Sequence, residues 1–265
     1  MLPIALNHMT TPHLDWRAFL RLAQDLGCVG VEFRDDIGPL FGGDAPDLVR
    51  RELADHGLRL LALAEVKRFN DWSAEKAEEL EALIAIAKTC GAERISLIPR
   101  NDGVACAPDD SYAACHQALK AILPILKHHD IKALVEPLGF AISSLRDKAV
   151  LARVIDDLDA RGDIAMVHDS FHHALAGFGP IFPELTGLVH ISGVNEPLAL
   201  DAMQDGDRVL VDDDDLLANL GQLRALQRAG YQGPVSYEAF SPQIHALHDP
   251  ASALRRSIDH LRRAL

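Results

Sequence analysis

Short apolar runs alternate with longer amphipathic segments along the whole chain, and this repeat constrains the fold more than any single residue does. The strand candidates are Ile4 to Asn7, Val29 to Arg34, Leu58 to Leu63, Arg94 to Pro99, Ile131 to Glu136, Ile164 to Asp169, Leu188 to Ser192 and Val235 to Glu238. Helix-period segments fall near Asp15 to Leu26, Ala45 to His56, Ser73 to Cys90, Ser111 to His129, Asp147 to Leu158, Leu216 to Ala229 and Asp249 to Leu265. Gly27, Gly57, Gly91 and Gly230 stand just past four of these helices, where a left-handed residue ends the last turn. Strand and helix in strict succession imply a parallel sheet. Eight such units in 265 residues predict an α/β protein, a (β/α)8 TIM barrel with one domain over residues 1–265. A doubly wound sheet would carry a Gly-rich loop after its first strand, but that strand runs into Asn7-His8-Met9-Thr10. The sixth unit is the weakest, because Phe171 to Glu184 contains Gly177, Gly179, Pro180 and Pro183.

A barrel builds its site at the C-terminal ends of its strands. Glu136, Asp169, His190 and Glu238 each stand at the end of a short apolar run, in Leu-Val-Glu136, Met-Val-His-Asp169, Leu-Val-His190 and Val-Ser-Tyr-Glu238. Period-two alternation points Leu134 and Glu136, Val167 and Asp169, Leu188 and His190, and Ser236 and Glu238 to one side. Three carboxylates and an imidazole converging at one point repel unless a cation sits among them. This oxygen-rich set suits one divalent ion: Mn²⁺, Co²⁺, Mg²⁺ or Zn²⁺. Acidic residues and histidines also close strands as turn formers, so each residue alone means little.

The formal net charge of −13 repels phosphate backbones and anionic membranes, and no basic cluster with interleaved aromatics offsets it. Nucleic acid and membrane are therefore not expected partners. No apolar stretch reaches the length of a membrane span, and Met1-Leu2-Pro3-Ile4 lacks the basic start of a signal peptide, so a soluble, cytoplasmic protein is expected. Cys28, Cys90, Cys106 and Cys115 show no C-x-x-C spacing and read as reduced thiols. Asp212 to Asp215 precede Leu216-Leu217 and read as a solvated loop with a helix cap rather than a ligand cluster.

Beyond these patterns, the chain resembles the xylose isomerase-like TIM barrels, a family that includes inosose isomerases, tagatose and psicose 3-epimerases and hydroxypyruvate isomerases. The likeness runs through Gly30-Val31-Glu32-Phe33-Arg34, Leu61-Ala62-Leu63, Phe69-Asn70, Val135-Glu136-Pro137, Asp169-Ser170-Phe171-His172, Leu188-Val189-His190-Ile191, Asp207-Arg208-Val209 and Val235-Ser236-Tyr237-Glu238-Ala239-Phe240-Ser241-Pro242. The inosose isomerases are the nearest group. The resemblance implies that Glu136, Asp169, His190 and Glu238 bind the metal, that Glu136 and Glu238 also exchange protons with substrate, and that His172 and Arg208 touch it. Two departures stand out. Many relatives have a Pro-Gly-x-Gly turn where this chain reads Val209 to Asp215, and His168 replaces an apolar residue before the aspartate. By alternation His168 points away from the barrel interior.

The expected activity is that of a metal-dependent isomerase moving a carbonyl between adjacent carbons of a ketoinositol, 2-keto-myo-inositol to 1-keto-D-chiro-inositol, through an enediolate. That places the chain in inositol or wider carbohydrate catabolism. Glu238 is assigned as base and Glu136 as the group returning the proton. A ketose 3-epimerase or a hydroxypyruvate isomerase would use the same ligands. A 3-dehydroshikimate dehydratase fits less well, and an endonuclease IV-type hydrolase would need more strand-end histidines and a basic rim. The partner is a small polyol ketone or ketose, and nothing in the pattern precludes a homo-oligomer. Glu32 is a further candidate for binding substrate, by orienting its hydroxyls, unless it simply pairs with Arg34. Glu65 and Lys67 read as a rim ion pair, and His8, His173, His245 and His248 as surface or loop histidines.

Overall fold

The computed structural model describes residues 2–103 and 105–265. Its elements alternate as the sequence implies: β1 (Ile4–Asn7), α1 (Trp16–Asp25), β2 (Gly30–Arg34), α2 (Pro46–Asp55), β3 (Arg59–Lys67), α3 (Ala74–Cys90), β4 (Arg94–Ile98), α4 (Pro108–His129), β5 (Lys132–Val135), α5 (Lys148–Asp157), β6 (Ile164–Asp169), α6 (Ser170–Leu175), β7 (Thr186–Ile191), α7 (Asn219–Arg228), β8 (Val235–Tyr237), α8 (Pro242–His245) and α9 (Pro250–Ala264). The eight strands pair in sequence order and β8 closes on β1, all in parallel, giving a (β/α)8 barrel.

Alternation divides the apolar residues between two layers. Leu134, Val167 and Leu188 point into the barrel and meet Ala5, Leu61 and Ala62. Their neighbours Val135, Met166 and Val189 face outward into the main core, under helix residues such as Phe19, Ile84, Ile122, Ile155 and Leu261. Both Leu61 and Ala62 reach the interior because the β2–β3 register slips between Val31 and Glu32. Each buried aliphatic or aromatic side chain adds about 1.5–3 kcal/mol relative to exposure, so the two layers fix the strand ends firmly.

Several element boundaries differ from expectation. Strand β3 continues past Leu63 to Lys67, because Glu65 and Lys67 are cleft-lining ion-pair partners rather than loop residues. Helix α7 begins at Asn219, not Leu216: Ala218 before it is left-handed, and Asp215 caps the preceding turn by accepting from Leu217 N and Asn219 N. The tetra-aspartate is otherwise a solvated loop, as expected. The weak sixth unit is the six-residue α6, which starts directly on Asp169 and stops before Gly177 at φ 92°. His8 and His173 are buried, not surface residues: His8 stacks on Phe19 with ring centroids 4.5 Å apart.

Candidate metal centre and cleft

The last residue of β6, the next-to-last of β7, and the residues just after β5 and β8 bring Asp169, His190, Glu136 and Glu238 together. One donor atom from each lies within 4.8 Å of the others, and all four residues are buried. His190 Nδ1 lies 3.2 Å from Glu238 Oε2, 3.5 Å from Glu136 Oε1 and 4.0 Å from Asp169 Oδ2. None of these approaches has hydrogen-bond geometry, so Nδ1 is a buried ring nitrogen with no partner among the described residues. An unpartnered imidazole nitrogen ringed by carboxylate oxygens is the donor set a divalent cation takes, and the residues fit such an ion.

A second ring of residues holds these donors in place. Glu32 Oε2 meets His190 Nε2 at 3.0 Å, and Ser236 Oγ donates to Glu32 Oε1 at 2.5 Å. Glu32 is only 2% exposed and pairs with His190, not Arg34, so it lies beneath the cleft instead of meeting ligand from its wall. Asn7 Nδ2 and Arg34 Nη1 donate to Glu238 Oε1 at 3.1 and 2.9 Å. Arg208 Nη2 bridges Asp169 Oδ2 (2.6 Å) and Glu238 Oε2 (3.1 Å), its guanidinium packed against Phe171 and Phe240. Asp169 Oδ1 accepts from His172 N at 2.9 Å and so caps α6.

Charge follows from this packing. Burial opposes ionisation of Glu238, but His190, Arg208 and Arg34 outweigh it and hold the carboxyl well below its usual range. Burial likewise opposes charge on His190, yet Glu238, Glu32 and Glu136 raise its pKa far above that of a free imidazole. At the rim, burial lifts Glu65 to about 7 despite Arg34 and Lys67 beside it.

A cleft of about 390 Å³ opens over this cluster, lined by Glu136, Glu238, His172 and Arg208, with Arg34 and Lys67 at its mouth. The four candidate ligands, His172 and Arg208 are thus brought to one place. His168 faces outward, as alternation predicts, and contacts Lys148 and Gln222. Asn7 was not anticipated, although the strand-end reasoning applied to β1 points to it. Lys148 gave no sequence signal, since a lysine in the first turn of an amphipathic helix reads as solvent-facing.

A family model for xylose isomerase-like TIM barrels matches residues 20–264. The chain belongs to that family. Among solved members of this fold, a xylose isomerase domain containing protein of Salmonella typhimurium LT2 is 28% identical, with TM-score 0.89 over 98% of this chain and 96% of its own. The IolI protein, whose structure holds a zinc atom, is 17% identical with TM-score 0.89 over 100% and 99% of the two chains. An L-ribulose 3-epimerase is 18% identical with TM-score 0.70 over 100% and 95%. The last two identities carry the fold alone, because one barrel hosts many chemistries. No curated protein matches the chain in sequence.

Proposed function

We propose that this xylose isomerase-like barrel is a metal-dependent sugar isomerase acting on a ketoinositol, moving the carbonyl between adjacent ring carbons by proton transfer. The observation that carries the reading is the unpartnered His190 Nδ1 among Glu136, Asp169 and Glu238, with both glutamates open to a polar cleft. Glu136, Asp169, His190 and Glu238 would hold one divalent ion, Mn²⁺, Co²⁺, Mg²⁺ or Zn²⁺. When bound, that ion supplies Lewis-acid polarisation of a substrate oxygen, typically worth several kcal/mol.

The chain's own residues supply the proton chemistry. Glu238 accepts hydrogen bonds from Asn7, Arg34 and Arg208, which keep it ionised and weaken it as a base. The Glu136 side chain accepts none among the described residues, so its lone pairs are free for a substrate proton. In this proposal Glu136 takes up the substrate proton, and Glu238, the base assigned from the sequence, is the alternative that the two glutamine variants separate. A positioned carboxylate contributes about 10²- to 10⁴-fold. His172 and Arg208 line the cleft within reach of substrate oxygens, and Glu32 acts through His190 by fixing its ring.

A panel of inososes and ketoses incubated with the zinc- or magnesium-loaded protein in D₂O, read by NMR and mass spectrometry, tests the reading. Deuterium is expected at the carbon beside the carbonyl of 2-keto-myo-inositol, together with carbonyl migration. Exchange in a ketose alone would keep the chemistry and change the substrate, and C3 inversion would mark an epimerase. Absence of exchange in every substrate with metal bound would overturn the isomerase.

A further inference from the structure

A second chamber of about 370 Å³ lies between the start of α4, the β5–α5 loop, α5 and α6, separated from the cleft by His172. Its floor holds Lys148, a residue only 6% exposed. The Lys148 ammonium donates to His168 Nδ1 at 2.9 Å and to His173 Nδ1 at 3.2 Å. An ammonium has no acceptor capacity, so both imidazoles present lone pairs at Nδ1 and carry their protons on Nε2. The His168 Nε2–H then donates to Gln222 Oε1 at 2.9 Å, and Gln222 Nε2 donates onward to Ser170 O and Leu217 O. These groups solvate the ammonium without neutralising it.

Among the described residues, no carboxylate oxygen comes within 4.0 Å of Lys148 Nζ. Asp147, the one acid on the chamber wall, spends Oδ1 on capping α5 through Ala149 N. Arg146, also on the wall, donates to the carbonyls of Gly139 and Leu175 and likewise has no carboxylate partner. A buried ammonium with no carboxylate within hydrogen-bond reach is unusual, because buried charge is ordinarily paired, and the exposed Arg146 adds a second cation to the same wall. It is more so in a chain of net charge −13. Burial pushes the Lys148 ammonium down to about 7, further than the Asp169 and Glu136 carboxylates restore, and an anion in the chamber would hold it charged. The neighbouring lining of Pro108, Pro137, Val150 and Pro180 is apolar and suits the carbon skeleton of a metabolite-sized molecule.

We propose that this chamber binds a small oxyanion-bearing molecule, a carboxylate or a phosphate, with Lys148, Arg146 and His173 as its donors. The site is separate from the metal centre and does not depend on the isomerase reading.

The test titrates zinc-reconstituted full-length protein with inorganic phosphate and, separately, with succinate, while following the histidine ring resonances by NMR. Saturable shifts of the His173 and His168 rings are expected, and the probe that produces them tells a phosphate ligand from a carboxylate. Arg146→Glu, at an exposed position and with folding checked by the unshifted remainder of the spectrum, should weaken binding at least about tenfold, and the near-isosteric Lys148→Met should abolish it. No saturable shift with either probe up to about 20 mM, shifts confined to His190, or undiminished affinity in Arg146→Glu would overturn the proposal.

Discussion

Glu32 Oε2 lies 3.0 Å from His190 Nε2, on the edge of the ring opposite the three carboxylates that surround Nδ1. The contact places a proton on Nε2 and leaves Nδ1 as the atom a metal would take. Replacing Glu32 by Ala removes the acceptor that selects this orientation. We expect Glu32→Ala to lower divalent-metal affinity by about 10- to 100-fold, measured by competition with a fluorescent chelator. Unchanged affinity would show that the ring needs no such support.

Because the surrounding carboxylates hold the His190 pKa far above normal in the metal-free protein, metal uptake must expel a proton from Nδ1. Affinity should therefore rise with pH below that elevated pKa. Calorimetry in buffers of different ionisation enthalpy checks this, with about one proton released per ion bound as the expected result.

The two glutamates should separate in kinetics. Glu136→Gln removes the carboxylate with the fewest hydrogen-bond donors, and we expect kcat to fall by at least about 10²-fold with metal retained. Glu238→Gln also strips a charge that Arg34 and Arg208 contact, so we expect loss of turnover together with a lower Tm. Equal activity of Glu136→Gln and the unaltered protein would remove Glu136 from the chemistry.

Gly139 packs under α6, and a Cβ there would sit 2.2 Å from His172 O and 2.7 Å from Leu175 Cβ. Gly139→Ala must push away the helix that carries His172. A destabilisation of about 1–3 kcal/mol is expected in urea unfolding, with substrate KM raised more than metal Kd. A neutral effect on both would mean that α6 yields freely.

His173 supplies a pH test outside the metal cluster. Burial and the Lys148 cation lower its pKa to about 4, so the unfolded state binds the proton first. The resulting stability is complete above the free-imidazole value near 6.5 and is lost as pH falls through about 4. In chelator, the unaltered protein should lose about 1–3 kcal/mol more than His173→Gln between pH 7 and pH 4. Parallel losses in the two proteins would contradict the assignment.

The barrel was legible because alternation at Leu134–Glu136, Val167–Asp169 and Leu188–His190 serves packing and chemistry at once: the residue below is core and the residue above is a donor. Boundaries failed where chemistry overrides apolar pattern, as at Glu65 and Lys67, which extend β3 into the cleft rim. Lys148 was invisible for the opposite reason. Its role depends on which helix face meets β6 and α6, across 20 and 25 residues of sequence, and neither composition nor period encodes that. Glu32 was seen as a strand-end acid, but its depth below the cleft emerges only from barrel packing.

The claim on which the rest depends is that Glu136, Asp169, His190 and Glu238 hold a divalent ion. Elemental analysis of protein purified without chelator, followed by titration of the stripped protein with Mn²⁺, Co²⁺, Mg²⁺ and Zn²⁺, measures it directly. The account predicts one tightly bound ion per chain, lost on His190→Ala and on Asp169→Ala. No stoichiometric ion after reconstitution with any of the four metals, or full binding in His190→Ala, would contradict it.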